Sequence, residues 1–320
     1  MLDIIIVGAG PSGLSVAIEA QNKGLEYLLI EKGGIVHSIQ NFPAEMTFFS
    51  TPELLEVGNV PFTSAHMRPT RAEGLEYYSR VAAHYHLKCR FFESVISIIR
   101  TESSFTVKTS RMEYQAKNIV LATGYYDNPN YLNIAGEELP KVSHYYKEPY
   151  AFYGQRVMVI GAKNSAAIAA LELFRHGASV TLVHRGNGLS DKIKYWILPD
   201  IENRIKENSI KAFFNTQVIS IEEKSVLLKN EEGEIELEND FVFALTGYHP
   251  DYEFLQSCSI ALDATTCAPI LDPVTLETNV SGIYAAGSII SGKNNNSIFI
   301  ENGRLHGKII VDSILKSTKR

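Results

Sequence analysis

Cysteine is scarce: the 320-residue chain holds three, Cys89, Cys258 and Cys267. An odd, scattered set builds neither a disulfide framework nor a structural zinc site, and it fits a reducing compartment. No Cys-x-x-Cys pair occurs, which excludes a protein dithiol that relays electrons to a disulfide. Long apolar runs are missing too. The opening run Leu2 to Val7 is far shorter than the ~20 residues of a spanning helix, and Asp3 interrupts it. A secretory leader would need a basic start, a longer apolar stretch and a small-residue cleavage site. The expected location is the cytoplasm, with no membrane partner. Nor is there a basic stripe: 30 Lys and Arg against 36 Asp and Glu leave a net charge of -6, spread along the chain. No nucleic-acid partner is expected. Metal-ligand spacing is lacking as well. His37, His66, His84, His86, His144, His249 and His306 are assigned to surface or packing rather than catalysis, and no metal is expected. A phosphate-binding lysine loop, a serine-hydrolase elbow, low-complexity segments and short-period repeats are all absent from the sequence.

What the chain does have is 45% hydrophobic and 21% charged residues, a globular composition at a length that suits two domains. Leu2 to Val7 is a β-branched apolar run followed at once by a glycine-rich turn and a helical pattern, Leu14 to Asn22. Lys23-Gly24 ends that helix, and Tyr27 to Ile30 forms a second buried strand closing on Glu31, a complete βαβ unit. The same order recurs at Arg156 to Ile160, Gly161 to Ala166, a helix through Phe174, and Ser179 to Val183. Between them, Gly74 to His86 reads as a helix and Glu93 to Ile119 as antiparallel strands. Two strands end in Thr-Gly, at Thr123-Gly124 and Thr246-Gly247. These ends place the domain boundaries: 1–121 with 246–320 for the first domain, 122–245 for the second.

The first loop, Gly8-Ala9-Gly10-Pro11-Ser12-Gly13, has all three glycines of the dinucleotide fingerprint. Gly8 permits the tight turn, Gly10 lets backbone amides approach a pyrophosphate, and Gly13 allows close helix–sheet packing. Glu31, roughly 20 residues on, is placed to accept hydrogen bonds from ribose hydroxyls. The second loop, Gly161-Ala162-Lys163-Asn164-Ser165-Ala166, keeps only the first glycine. Lys163 hinders close backbone approach at its middle position, though its charge has a phosphate to face. His184 and Arg185 stand where an NAD site would place an acid, and arginine there accommodates a 2'-phosphate, so NADPH is favoured over NADH. Lys192 and Lys194 are weaker additions to that phosphate site. A third candidate is Gly287-Ser288-Ile289 with Asn294 to Ser297, where Asn296 or Ser297 is expected to cap a following helix whose dipole stabilises charge on a reduced flavin.

Taken together, the order of first loop, Ala122-Thr123-Gly124, inserted unit, Thr246-Gly247 and Asn279 to Gly287 resembles the low-molecular-weight thioredoxin reductase superfamily over nearly the whole chain. Within it, Phe48 to Ser50, Gly161 to Ala166, Ile193 to Trp196, Pro199 to Arg204 and Ile298 to Gly303 resemble the bacillithiol disulfide reductase family. The resemblance implies an α/β architecture: two Rossmann-like, three-layer ββα nucleotide-binding domains, the second inserted into the first. It implies FAD on Gly8, Gly10, Pro11, Ser12, Gly13, Glu31, Lys32, Phe49, Ser50, Val95, Ala122, Thr123, Gly124, Gly287, Ser288 and Ile298. NADPH is implied on Gly161, Lys163, Asn164, Ser165, Ala166, His184, Arg185, Lys194, Thr246 and Gly247. It further implies a homodimer that reduces the disulfide of a low-molecular-weight thiol or another small soluble acceptor.

Two positions depart from the pattern. Ser12 stands where family members carry a cysteine proposed to be catalytic, and a hydroxyl forms no mixed disulfide. Ser288 stands where thioredoxin reductases carry an aspartate that contacts the flavin ribityl chain. The catalytic residue is therefore left open, and electrons leave directly or through Cys258 or Cys89, both read as structural. The alternatives are a flavin monooxygenase, to whose linker Ser143 to Tyr146 is loosely similar, and a ferredoxin- or flavodoxin-NADP reductase-like enzyme. A redox or nucleotide sensor that keeps the fold is the non-enzymatic alternative.

Overall fold

A computed structural model of the chain describes residues 1–294 and 297–317. The chain divides into two compact units, Met1–Asn128 with Tyr248–Arg320, and Pro129–Gly247. Ala122 to Asn128, expected with the inserted domain, pack with the first unit, and Thr246 and Gly247 belong to the second.

In the first unit, β1 (Leu2–Val7), β2 (Tyr27–Ile30), β3 (Cys89–Arg90), β4 (Val95–Arg100), β5 (Phe105–Thr109) and β6 (Glu113–Leu121) lie in the order β3-β2-β1-β6-β5-β4. The β3-β2-β1-β6 part is parallel and the rest antiparallel. β1 and β2 are buried on both faces, which is why they read as unbroken apolar runs instead of alternating ones. The outer edge of β6 is shared. Its first half pairs with β5 through Glu113–Ala116, and its last residues, Ile119–Leu121, pair in parallel with the late strand Ile283–Ala285.

One face of this sheet carries Ile4, Ile6 and Val120 against Leu14, Ile18, Tyr78, Ile310 and Ile314 of the helices. The other carries Ile5, Ile119 and Leu121 against Ile98, Phe105 and Val107 of the antiparallel strands. Helices, parallel sheet and antiparallel strands make the expected three layers. The helix Arg71–His84 is fixed at its start by Thr70, whose Oγ accepts from the Glu73 amide while the Glu73 carboxylate accepts from the Thr70 amide. That backbone hydrogen bond, first among several, pulls the Glu73 carboxyl down to about 2.

The second unit repeats the plan. Its strands are β7 (Val142–Ser143), β8 (Arg156–Ile160), β9 (Ser179–Val183), β10 (Lys211–Phe213), β11 (Gln217–Ile221), β12 (Ser225–Asn230), β13 (Gly233–Glu238) and β14 (Phe241–Ala244). A parallel sheet β10-β9-β8-β14-β7 stands beside an antiparallel sheet β11-β12-β13. Val157, Val159 and Leu182 face the helix Asn164–Arg175 through Ala166, Ala170 and Leu173. Met158, Ile160 and Val183 face Val226 and Leu228 of the antiparallel sheet.

Candidate functional site

At the C-terminal ends of β1 and β6 the chain makes a cradle. Gly8 has φ +104°, and its amide donates to the Ile30 carbonyl at 2.8 Å. A methyl on Gly8 would lie 2.4 Å from the Ala122 carbonyl oxygen, and one on Gly13 only 1.9 Å from the Gly8 oxygen. Both glycines are therefore demanded by packing alone. Gly10 differs: among the described residues a methyl there meets nothing within 4 Å, so packing does not explain its glycine. The helix Pro11–Asn22 starts at Gly10 with proline in its first turn and no side chain capping it. Its first-turn amides and dipole therefore favour an anion there. Glu31, buried, accepts from the Ala9 amide through Oε2 at 2.7 Å and from the Gly33 amide through Oε1 at 3.0 Å. These charge-assisted bonds, worth about 1.5–3 kcal/mol each, tie the loop to the end of β2 and leave the carboxylate further lone pairs.

Three strand ends converge here. The Ala122 amide donates to the Val7 carbonyl and the Ala286 amide to the Leu121 carbonyl, both at 2.8 Å. A methyl on Gly124 would sit 3.7 Å from the Ser288 Oγ, and one on Gly287 2.6 Å from the Ser12 Oγ. Ser12 also faces Gly303, which in turn lies beside Ile298. The Thr123 hydroxyl is buried without a hydrogen-bond partner among the described residues. Lys32 forms a half-exposed ion pair with Asp127 at 2.9 Å. Ser50 donates to the Glu301 carboxylate, bringing the Phe49–Ser50 segment to the C-terminal part of the chain. The Glu93 amide bonds to the Glu31 carbonyl at 3.0 Å, which brings the start of β4, at Val95, to the same end of the sheet. An aromatic group that sequence reasoning missed stands next along the chain. Phe42 and Tyr126 meet edge to face at 4.8 Å between centroids, and Tyr126 and Tyr248 at 4.6 Å.

The second unit presents its own site. Gly161 (φ +138°) donates to the Val183 carbonyl at 3.0 Å, and a methyl on it would lie 2.6 Å from the Leu245 oxygen. Lys163 is exposed at the head of the helix Asn164–Arg175, with Ser165 exposed in the first turn and Ala166 buried beneath. Asn164 holds the neighbouring loop: its Oδ1 accepts from the Lys194 amide at 2.9 Å and its Nδ2 donates to the Lys192 carbonyl at 3.1 Å. His184 and the exposed Arg185 follow β9. Burial, then the charges of Arg185 and Lys163, lower the His184 pKa, which sets all three in one electropositive neighbourhood. Thr246 donates through Oγ to the Asn130 carbonyl at 2.5 Å, and the Asn130 amide donates to Gly247, whose φ is +94°.

Other expectations change. Ser297 caps no helix: its Oγ bonds to Ser291 and to the Asn294 carbonyl, and the next helix, Ile300–Gly303, begins after Phe299. The Phe299 amide is taken by the Asn302 side chain instead. Asn295 and Asn296 lie outside the described residues. His144, in the segment loosely similar to the monooxygenase linker, lies 3.3 Å from Glu137, whose carboxylate also holds the Leu132 and Asn133 amides. Burial pushes the Cys89 and Cys258 thiols up to about 11. His306, assigned to surface or packing, is buried and accepts a hydrogen bond from the Gly287 amide. Its separation from Gly287 gives no local pattern by which the sequence could reveal it.

The pyridine nucleotide-disulphide oxidoreductase family model matches residues 5–287. The chain belongs to that family. It is 45% identical over 314 residues to the bacilliredoxin reductase Bdr of Bacillus subtilis (strain 168), covering 98% of this chain and 97% of the other. The solved bacillithiol disulfide reductase Bdr from Bacillus cereus superposes with a TM-score of 0.97 at 43% identity, covering 99% of each chain. A thioredoxin reductase from T. acidophilum superposes at 0.78 with 25% identity, covering 100% and 99%. The chain is accordingly an oxidoreductase of the two-domain Rossmann flavoprotein type that works with FAD and NADPH. The residues present fit both groups. Gly10 without a neighbour, the uncapped helix start and the solitary Thr123 hydroxyl suit a dinucleotide in the first unit. The electropositive end of β9 suits a phosphate in the second.

Proposed function

We propose that the chain reduces the disulfide of a low-molecular-weight thiol of the bacillithiol class with electrons from NADPH. The observation that carries this reading is its likeness to solved bacillithiol disulfide reductases along nearly the full length of both chains. In balance, NADPH and one proton convert one disulfide to two thiols and leave NADP+. Bound FAD supplies the two-electron carrier between them.

The glycine-loop helix and Gly10 amide hold the FAD diphosphate, Glu31 takes the adenosine ribose, and Thr123, Gly124 and Ser288 line the flavin end. In the second unit Arg185, with His184 and Lys163, takes the 2'-phosphate of NADPH, while Asn164 positions Lys194 by gripping its backbone. Ser12 offers no thiol, and burial raises the pKa of the Cys89 and Cys258 thiols. In the scheme with the fewest demands, the disulfide is reduced without Ser12, Cys89 or Cys258 as carrier. What supports a homodimer is the family resemblance, and what supports the cytoplasm is the scarcity of cysteine. No described helix is long and apolar enough to cross a membrane.

The test has two stages. Anaerobic NADPH should bleach the flavin, and steady-state NADPH oxidation should then be driven by bacillithiol disulfide in preference to other small disulfides, quinones and ferredoxin. Turnover with ferredoxin alone overturns the substrate assignment, and a flavin that NADPH leaves oxidised overturns the reductase itself.

A further inference from the structure

Among the buried titratable side chains of the first unit that the proposed reaction does not use, His306 is the one that bonds to the cradle turn. His306 opens the helix His306–Ser317 and is 7% exposed. Its Nδ1 accepts the Gly287 amide hydrogen at 3.0 Å. An accepting Nδ1 carries no proton, so the neutral ring bears its hydrogen on Nε2. Burial lowers the pKa of the imidazole, which keeps that lone pair available at neutral pH.

Gly287 is where the chain turns in the cradle. It has φ +74° and begins the tight turn Gly287–Ser291. One residue before it, Ala286 is fastened to the sheet through the Leu121 carbonyl. Gly287 itself leans on Ser12, and Ser288 faces Gly124. The helix that supplies His306 is anchored to the glycine-loop helix. Ser15 donates through Oγ to the Arg304 carbonyl at 2.5 Å, and a methyl on Gly307 would lie 2.6 Å from the Ser15 carbonyl oxygen. The imidazole is thus carried by a fixed support and sets where the Gly287 amide stands above Ser12.

We infer that His306 is a positioning residue for the flavin, acting through the Gly287 amide to hold the Gly287–Ser288 turn against Ser12 and Gly124. This rests on the first unit being the FAD site. With the Gly287 amide taken up inside the protein, Ser288 is the residue of the turn that meets the cofactor, in register with Gly124.

The experiment compares His306→Asn, His306→Gln and His306→Leu. Asparagine places an acceptor where Nδ1 stands; glutamine places one at the reach of Nε2; leucine removes it and keeps the bulk. FAD dissociation constants of the reconstituted apoproteins, flavin visible spectra and midpoint potentials are read beside thermal midpoints. The expected result is about tenfold weaker FAD binding, the size of one lost buried hydrogen bond, with an altered flavin spectrum in the Gln and Leu variants. The Asn variant should stay near the parent. Should Leu not fold, the contrast of Asn with Gln carries the test. Parental FAD affinity and spectrum in both Gln and Leu variants overturn the inference alone, as does equal damage in Asn and Gln. A parent chain that binds no FAD overturns the reading beneath it as well.

Discussion

In the first unit the turn–helix junction leaves no space at Gly13, whose methyl would stand 1.9 Å from the Gly8 oxygen. The second unit carries Ala166 at the matching place, with its Cβ 3.2 Å from a methyl built on Gly161. The middle positions differ in the opposite sense, Gly10 facing open space and Lys163 bringing a charge. The strand ends differ too: Glu31 is buried and bonded to two amides, Arg185 is exposed beside a histidine. One layout thus serves two kinds of grip. Under the proposed function the first would hold its ligand by shape and backbone, and the second by charge. A shape-based grip tolerates no added atom, and a charge-based grip weakens with salt.

The sharpest way to break this comparison is to exchange the third positions. Gly13→Ala should lose FAD on purification and fall by about 1–3 kcal/mol in stability through overpacking. Ala166→Gly should cost only about 0.5–1 kcal/mol and leave the KM for NADPH little changed. Flavin content and thermal melts decide, and a Gly13→Ala protein that keeps its flavin sinks the idea.

Next in size is Arg185→Ala, which should raise the KM for NADPH about 10- to 100-fold, the worth of one charge-assisted contact. NADH kinetics should be unmoved. Equal effects on the two nucleotides would remove the 2'-phosphate role.

Much of this contrast was legible in the sequence. β1, β2, β8 and β9 appear where their apolar runs place them, because strands buried on both faces announce themselves without tertiary information. The glycines marked both loops. What stayed hidden depends on contacts between distant residues. The sequence does not reveal that Glu31 serves its own loop, that Ser297 turns back to Ser291, or that His306 reaches Gly287. The boundary near residue 122 was misplaced because the Thr-Gly strand end looks like an exit. The chain instead stays with the first unit through Asn128, where the His249 amide bonds back to the Asn128 carbonyl.

A smaller effect is expected at Ser12. Its hydroxyl lies 2.6 Å from a methyl on Gly287 and 2.9 Å from one on Gly303. Ser12→Cys should therefore keep FAD and alter disulfide turnover by no more than about threefold, as near-isosteric changes do. A rise of orders of magnitude would show that the site requires a thiol.

The smallest effect is on acid stability, and both units should share it. Glu73 in the first and Asp240 in the second have carboxyls held down to about 2, by the Thr70 backbone and by Arg156 respectively. A depressed folded-state pKa gives stability that is present above the unfolded value and lost as pH falls toward the folded one. Melting temperatures should therefore drop between about pH 4.5 and pH 2. Glu73→Gln should flatten the first unit's share of that drop and Arg156→Met the second's.

The shared outer edge of β6 bears on how the chain acquires its shape. Residues 119–121 of that edge wait for a strand that begins at Ile283. The second unit, by contrast, draws all its strands from one continuous stretch of chain. During synthesis the inserted unit has every strand it needs well before the first unit has its last, and the late closure spans a long loop that is slow to form. A chain halted before Ile283 should thus yield a protease-resistant inserted unit beside an N-terminal half that is still open to digestion.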